Sequence, residues 1–316
     1  MNVLVTGAAG FLGTRLVEAL LSDPDVSRIV AADTAACRIA DPRVDVRVGT
    51  IVDPAFVHAI VDDDVDLVFH LAAVLSGQSE AEFDVGLQVN VDATRCLLEA
   101  CRALGRPPRF VFSSTVAVFG GELPDLVPED IALRPQSSYG TAKAIAELLV
   151  SEYTRRGFVD GIICRLATVT VRPGKPNSAL SSFVSGIIRE PLAGIDAICP
   201  VPLDTRLWIS SPDVVTGNLV HAAGVPAAAL DGRLALNLPG LCVTPAEMLA
   251  SLERAGGAAA RARVRCEIDP HVARVVFTWP GNLDDSRARR LGFRADQNVD
   301  DVVRQYMDTI PHGRRA

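Results

Sequence analysis

The chain opens with Val3-Leu4-Val5-Thr6-Gly7-Ala8-Ala9-Gly10-Phe11-Leu12-Gly13, an apolar strand that runs into three glycines and then a helix. Gly7 permits the tight turn out of the strand, and Gly10 lets backbone N–H groups approach a pyrophosphate. Gly13 lets the helix pack against the strand, and the positive end of that helix faces the phosphates. The stretch predicts a dinucleotide-binding loop, with Phe11 and Leu12 among its contacts.

A carboxylate follows at the distance that such a loop requires. The second apolar run, Arg28-Ile29-Val30-Ala31-Ala32, ends in Asp33, which lies 20 residues after Gly13. At this spacing a carboxylate reaches a ribose 2′-hydroxyl, whereas a 2′-phosphate would meet like charge. Asp33 therefore predicts NAD as the cofactor, the alternative being a polar residue that only closes a strand.

Composition limits the classes of partner. The chain has 316 residues, 49% of them hydrophobic and 22% charged, and its net charge is −7. These values favour a globular protein and argue against nucleic acid as a partner.

The five histidines lack metal-ligand spacing, so we expect no metal site. Seven cysteines without a C-x-x-C pair indicate buried thiols, and neither a signal peptide nor a membrane-spanning run is visible. We therefore expect a cytoplasmic protein without a membrane partner.

Strands and helices alternate through the first half of the chain. Apolar strands are predicted at 44–48, 65–73, 109–112 and 162–166, and helices at 54–61, 83–104 and from Ser138 to Gly157. This alternation predicts an α/β protein with a Rossmann-type doubly wound parallel sheet. We assign residues 1–165 to an NAD-binding domain. Residues 166–316 are interrupted by Pro and Gly, and we assign them mainly to a smaller C-terminal substrate-binding lobe, with segments that return to the first domain. His70, at a strand end, is interpreted as a structural histidine rather than an acid or base.

Tyr139 and Lys143 are four residues apart, so one helical face presents both side chains. A cation about 4 Å from a phenol supplies roughly the 4 kcal/mol needed to bring a tyrosine pKa from about 10 to about 7. The pair therefore predicts a tyrosine base whose pKa is lowered by the lysine. Thr115 ends a buried strand, where its hydroxyl could hold a substrate oxygen; the alternative is a threonine bonded to its own backbone.

Together these motifs resemble an extended short-chain dehydrogenase/reductase of the NAD-dependent epimerase/dehydratase family. The further motifs that carry the resemblance are His70-Leu71-Ala72-Ala73, Asn90, Ser113-Ser114-Thr115 and a C-terminal segment from Asp284 to Phe293. The resemblance implies Tyr139, Lys143 and Thr115 as catalytic residues. It also implies cofactor contacts at Leu71, Ala72, Ala73, Ser76, Asn90, Tyr139 and Lys143, and a homodimer built through helices such as 83–104 and 138–156.

Within the family, segments such as 74–84 and 200–208 are most similar to dehydrogenases of four-carbon sugar acids. That likeness implies NAD-dependent oxidation of the C2 hydroxyl of a small anionic aldonate. An acidic protein needs a local cation for such a substrate, and an Arg fork fits a carboxylate. Arg172, Lys175 and Arg206 are the candidates, and Ser76 and Thr115 are candidate hydroxyl contacts to the substrate.

Two other functions stay open at this point. The first is a nucleotide-sugar epimerase or dehydratase with tightly held NAD, although Thr168-Val169-Thr170-Val171-Arg172-Pro173 departs from the Asn and Y-G-P pattern usual in those enzymes. The second is a catalytically silent NAD-binding regulator, against which the intact Tyr139 and Lys143 count.

Overall fold

The computed structural model describes residues 1–174 and 179–310. By its internal contacts the chain divides into two units. Unit 1 comprises Met1–Thr115, Ser137–Arg165 and Thr216–Leu236, and unit 2 comprises Val116–Gln136, Leu166–Val215 and Asn237–Ala316. The assignment of cofactor and substrate binding to either side of residue 165 stays a prediction.

The strands, in chain order, are β1 (Asn2–Thr6), β2 (Arg28–Asp33), β3 (Val44–Val48), β4 (Leu67–His70), β5 (Arg109–Thr115), β6 (Asp160–Leu166), β7 (Thr168–Val169), β8 (Ala197–Cys199), β9 (Leu207–Ser210), β10 (Ala235–Asn237), β11 (Leu241–Val243) and β12 (Val264–Cys266). Seven of them form one sheet in the order β10-β6-β5-β4-β1-β2-β3. The chain begins in the middle of this sheet and winds outward in both directions. The predicted doubly wound, Rossmann-type fold is confirmed.

The α-helices are α1 (Phe11–Leu21), α2 (Pro54–Ile60), α3 (Ser76–Ala81), α4 (Phe83–Leu87), α5 (Ala93–Ala103), α6 (Ser138–Arg155), α7 (Ser182–Leu192), α8 (Pro212–Ala223), α9 (Pro245–Ala262), α10 (Pro270–Val276), α11 (Ser286–Arg290) and α12 (Val299–Asp308). The α1 helix buries Gly13, Leu16, Val17 and Leu20, the spacing of one helical face. Phe69, Phe110 and Phe112 are fully buried on β4 and β5 of unit 1.

One predicted helix is divided in the structure. The pattern over 83–104 predicts a continuous helix, but a π-helix at Gln88–Asp92 separates α4 from α5. The buried Asn90 lies within it, and its amide side chain bonds the backbone of Val74 in place of solvent. Single π-turns are common at functional positions because they re-aim one side chain.

Unit 2 has its own core. The helices α7, α9 and α12 pack together beside two short sheets with the orders β11-β9-β7 and β12-β8. Val184, Ile187 and Leu252 are among the fully buried residues of this core. Cys242 and Cys266 are exposed on the short strands β11 and β12, so the prediction of buried thiols is wrong for these two. In the described parts of the chain, no helix has the length and apolar character needed to cross a membrane.

Candidate active site

The glycine loop is a cradle that a side chain would fill. Gly7 has a φ of +76°, and an ideal Cβ there would lie 2.7 Å from the backbone nitrogen of Ala72. A Cβ on Gly13 would collide with the carbonyl oxygen of Gly7. The exposed Gly10 is the N-cap of α1, which has no side-chain cap, so the first N–H groups of Phe11–Leu21 face out of the loop. This bare backbone fits a pyrophosphate.

Asp33 lies at the end of β2, beside the same loop. Its Oδ2 accepts a hydrogen bond from the N–H of Ala9 at 3.0 Å, and its Oδ1 accepts from the N–H of Ala35 at 3.3 Å. These two bonds hold the half-buried carboxylate next to the glycines, at the position that the sequence spacing predicts. The loop and the carboxylate together fit the pyrophosphate and adenosine ribose of NAD.

His70 is the centre of a buried chain of hydrogen bonds. The N–H of Ala72 donates to Thr6 Oγ1 (3.4 Å), which is 2.7 Å from His70 Nδ1. On the other side, His70 Nε2 is 2.9 Å from Thr94 Oγ1, which donates to the carbonyl of Asn90. The hydroxyl hydrogen of Thr94 is used in the hydrogen bond to Asn90, so Thr94 can only accept from His70. Nε2 of His70 therefore carries the ring hydrogen, and Nδ1 accepts from the hydroxyl of Thr6. Burial lowers the pKa of His70 to about 3. Both ring nitrogens of the buried His70 are thus bonded, as expected of a structural histidine, and the absence of an acid or base role stays a prediction.

The segment after β4 is fixed from two sides. Leu71 donates its N–H to the carbonyl of Thr6 at 3.2 Å, and the amide of Asn90 both accepts from the N–H of Val74 (2.9 Å) and donates to its carbonyl (3.0 Å). Asn90 thus positions the backbone that carries Leu71–Ala73 and leads to Ser76, the first residue of α3. Direct contacts of Asn90 and Ser76 with a cofactor stay predictions.

The helix α6 and the end of β5 bring the three predicted catalytic residues into one region of unit 1. Lys143 is 2% exposed, and its Nζ donates to the carbonyl of Ser113 at 2.9 Å. The same Nζ is 4.6 Å from the centre of the Phe112 ring and 5.9 Å from the centre of the Tyr139 ring. Thr115 lies two residues beyond Ser113, at the last position of β5. Their catalytic roles stay predictions.

Burial dominates the proton equilibria of this pair. It raises the pKa of Tyr139 to about 12 and lowers the pKa of Lys143 to about 7, while the charge of Glu147 opposes the second shift. The lowering of the Tyr139 pKa expected from the sequence is therefore not produced by the chain alone. The Nζ of Lys143 donates to the carbonyl of Ser113, and burial of the phenol disfavours the charged phenolate of Tyr139.

A buried ion pair between Glu147 on α6 and Arg165 on β6 was not predicted from the sequence. Glu147 accepts hydrogen bonds from Ser114 Oγ (2.5 Å) and from Arg165 through Nη2 (2.8 Å) and Nε (3.0 Å). Glu147 and Arg165 are 4% and 6% exposed. The sequence does contain a signal for Glu147 itself. Tyr139, Lys143 and Glu147 follow one another at intervals of four residues, which places them on one face of the helix.

Two of the three candidate cations are described, both in unit 2. Arg172 is half-buried, and its pKa is lowered by burial and then by the charge of Arg189. Arg189 donates to the carbonyl of Arg172 at 2.9 Å and pairs with Glu190. Arg206 is exposed and lies 3.3 Å from Asp125.

Lys175, the third candidate, lies outside the described residues. Over residues 1–174 and 179–310, no group of three or more His, Cys, Asp or Glu side chains is placed to hold a metal ion.

Comparison with known proteins agrees with this geometry. A sequence model of the NAD-dependent epimerase/dehydratase family matches residues 3–228. The chain is 50% identical to a D-erythronate dehydrogenase from Cupriavidus necator, over 98% of each chain, and 43% identical to one from Haemophilus influenzae, over 98% of this chain and 99% of that one. A crystal structure of a nucleoside-diphosphate-sugar epimerase from Agrobacterium tumefaciens is 37% identical, with a TM-score of 0.93, over 98% of this chain and 94% of that one. The resemblance indicated by the motifs is confirmed.

Proposed function

The chain belongs to the NAD-dependent epimerase/dehydratase family, and within it we propose an NAD-dependent dehydrogenase that oxidises the C2 hydroxyl of D-erythronate to 2-dehydro-D-erythronate. The observation that carries this proposal is similarity over nearly the whole chain, at 50% and 43% identity, to two proteins named D-erythronate dehydrogenase. Two features of the structure support it. The glycine loop with Asp33 supplies a cofactor cradle, and α6 beside the end of β5 supplies Tyr139 as the acid/base residue.

Each residue has a defined role in the proposed reaction. Tyr139 removes the proton of the C2 hydroxyl, and Thr115 holds that oxygen by a hydrogen bond. Lys143 stabilises the phenolate of Tyr139 by its charge. Bound NAD supplies the acceptor for the C2 hydride, and it would be held by the glycine loop, Asp33 and Leu71–Ala73.

We propose Arg172 as the residue that pairs with the substrate carboxylate. A half-buried guanidinium interacts with an anion through less water than an exposed one does. Arg206 is weaker in this respect because it is exposed and pairs with Asp125. Lys175 and Ser76 stay further candidates for substrate contact.

The second candidate function is a nucleotide-sugar epimerase or dehydratase with tightly held NAD. The observation that favours it is the likeness to the Agrobacterium tumefaciens structure, whose name describes such an epimerase. The two functions differ in their product, because an epimerase regenerates its NAD in each cycle whereas a dehydrogenase releases NADH.

The deciding experiment measures NADH formation by the purified protein with NAD and a panel of D-erythronate, L-threonate, UDP-glucose and UDP-galactose. We expect NADH chiefly with D-erythronate, and loss of turnover with retained NAD binding in Tyr139→Phe. Interconversion of the UDP-sugars without NADH from any acid would replace this proposal with the epimerase. Substantial residual turnover in Tyr139→Phe would remove the role of the tyrosine.

We also propose a homodimer in the cytoplasm, as the sequence predicts. Support for the dimer comes from α6, on which Leu148 is 69% exposed and Ile145 is 37% exposed. Phe83, at the start of the neighbouring α4, is also exposed. Exposed apolar side chains on adjacent helices are typical of a surface that another chain covers.

A further inference from the structure

We propose that Glu147 and Arg165 act as a positioning pair for the reaction, which fixes the end of β5 against α6, and that the carboxylate of Glu147 favours the charged form of Lys143. The pair touches neither substrate nor cofactor, and it acts through Ser114, Thr115 and Lys143. This inference rests on the proposed function for its kinetic consequences, but its electrostatic part concerns the protein alone.

The end of β5 is attached to α6 by side-chain hydrogen bonds. Three successive residues end β5, and two of them are bonded to α6. The carbonyl of Ser113 accepts from Lys143 Nζ at 2.9 Å, and the hydroxyl of Ser114 donates to Glu147 at 2.5 Å. Thr115 comes next, so these two bonds hold the strand that leads to it against α6. Arg165 on β6 fixes Glu147 from the other side through two nitrogens, at 2.8 and 3.0 Å.

The electrostatic part concerns the charged and titratable groups that face Lys143. On α6 these are Glu147, one turn further on, and the phenol of Tyr139 one turn before. On β4 the buried His70 faces the lysine, and its low pKa keeps it neutral at neutral pH. Glu147 is therefore the nearby charge that favours the ammonium, and it opposes the burial that lowers the pKa of Lys143.

These two effects separate a positioning role from a structural one. A buried Arg–Glu pair is on average no more stabilising than apolar residues of similar volume. A pair that served stability alone would change the unfolding free energy without altering the titration of Lys143 or the ratio of kcat to KM. Removal of Glu147 should instead leave Lys143 more neutral at pH 7 and Thr115 less well placed.

The test uses the lysine composition of the chain. Lys143 and Lys175 are its only lysines, so protein labelled with carbon-13 at lysine Cε gives two side-chain NMR signals, and Lys175→Arg assigns them. We expect Glu147→Gln to lower the Lys143 pKa by about one unit, a tenfold change in its protonation equilibrium. Glu152→Gln, an exposed carboxylate on the same helix, is the matched control and should leave the titration unchanged.

Kinetics with D-erythronate test the positional part. We expect Ser114→Ala, which retains the ion pair, to lower kcat about tenfold with little change in KM for NAD and with an unaltered Lys143 titration. An unchanged kcat in Ser114→Ala, or an unchanged Lys143 pKa in folded Glu147→Gln, would overturn the proposal.

Two safeguards keep the test decisive. Glu147→Gln leaves Arg165 buried without its partner and can fail to fold, so Glu147→Gln/Arg165→Met is measured beside it. A fall in the Lys143 pKa in the same direction but smaller is expected there, because this variant also removes the positive charge of Arg165. The titration needs no substrate, so an inactive wild-type protein would contradict the proposed function and not the electrostatic claim. An active wild-type protein with an unaltered titration would contradict the claim and leave the function standing.

Discussion

The backbone nitrogen of Ala72 lies only 2.7 Å from the place that an ideal Cβ on Gly7 would occupy. The segment after β4 and the loop after β1 are thus in backbone contact at Gly7, where only a glycine leaves enough space. Gly7 also has a φ of +76°, a conformation that L-residues rarely adopt. Two independent reasons therefore require glycine at this position.

We expect Gly7→Ala to weaken NAD binding at least tenfold, because the new methyl group must displace Ala72 and with it the loop that cradles the phosphates. Binding is measured by calorimetry, and stability by urea unfolding. The control is Gly105→Ala, which has a similar φ of +69° but no atom within 4 Å of the added Cβ. Its cost should be limited to about 1–2 kcal/mol of stability, without loss of NAD affinity. Equal effects of the two substitutions on NAD binding would show that contact with Ala72 is unimportant.

Features that depend on local spacing could be predicted from the sequence. The glycine loop and Asp33 are separated by one helix and one strand, so their spacing determines where they meet. The same holds for Tyr139 and Lys143, since four residues make one helical turn. The doubly wound parallel class of the sheet follows from the alternation of strands and helices in the first half of the chain.

Features that depend on long-range partners could not be predicted. Asn90 is bonded to Val74, 16 residues away, and its neighbourhood breaks the predicted helix into three parts. Glu147 on α6 is paired with Arg165 on β6, and no pattern in the sequence identifies that partner. The pKa of Tyr139 depends on how deeply the folded chain buries it, which spacing alone does not determine.

His70 should make stability depend on pH. Its pKa is about 3 in the folded chain and 6.5 when the histidine is exposed to water. Between pH 3 and pH 6.5 the unfolded chain therefore binds one proton more than the folded chain. Stability therefore falls as pH decreases below 6.5, by about 1.4 kcal/mol per pH unit at most. We expect urea unfolding at pH 7, 6 and 5 to show this slope in the wild type, and a smaller slope in His70→Gln. The exposed His58→Gln is the control and should retain the wild-type slope. Parallel slopes in all three proteins would exclude His70 as the source.

Asp33→Asn should relax the preference for NAD over NADP. The amide oxygen can still accept from the N–H of Ala9, so the loop keeps its shape, while the negative charge that opposes a 2′-phosphate is lost. We expect the ratio of kcat/KM for NAD to that for NADP to fall at least tenfold, with the larger change on the NADP side. An unchanged ratio would mean that selectivity arises elsewhere in the pocket.

Arg172→Ala should raise KM for D-erythronate by about 10- to 100-fold, the effect of losing a charge-assisted pair, while NAD binding changes little. Arg206→Ala is the matched comparison, because Arg206 is exposed and already pairs with Asp125. We expect its KM to change less than threefold, in line with the small energies of surface ion pairs. A large rise in Arg206→Ala with none in Arg172→Ala would reverse the assignment of the carboxylate partner.

The exposed apolar face of α6 should determine the oligomeric state. Leu148 is 69% exposed in the single chain, and a carboxylate there would be buried without a partner if a second chain covered this face. We expect Leu148→Glu to convert a dimer to a folded monomer, measured by light scattering after size-exclusion chromatography. Leu126→Glu places the same charge at an exposed leucine of unit 2 and should leave the dimer intact. Circular dichroism distinguishes dissociation from unfolding. A wild-type protein that is already monomeric at micromolar concentration, or a Leu148→Glu variant that stays dimeric, would exclude this face as the interface.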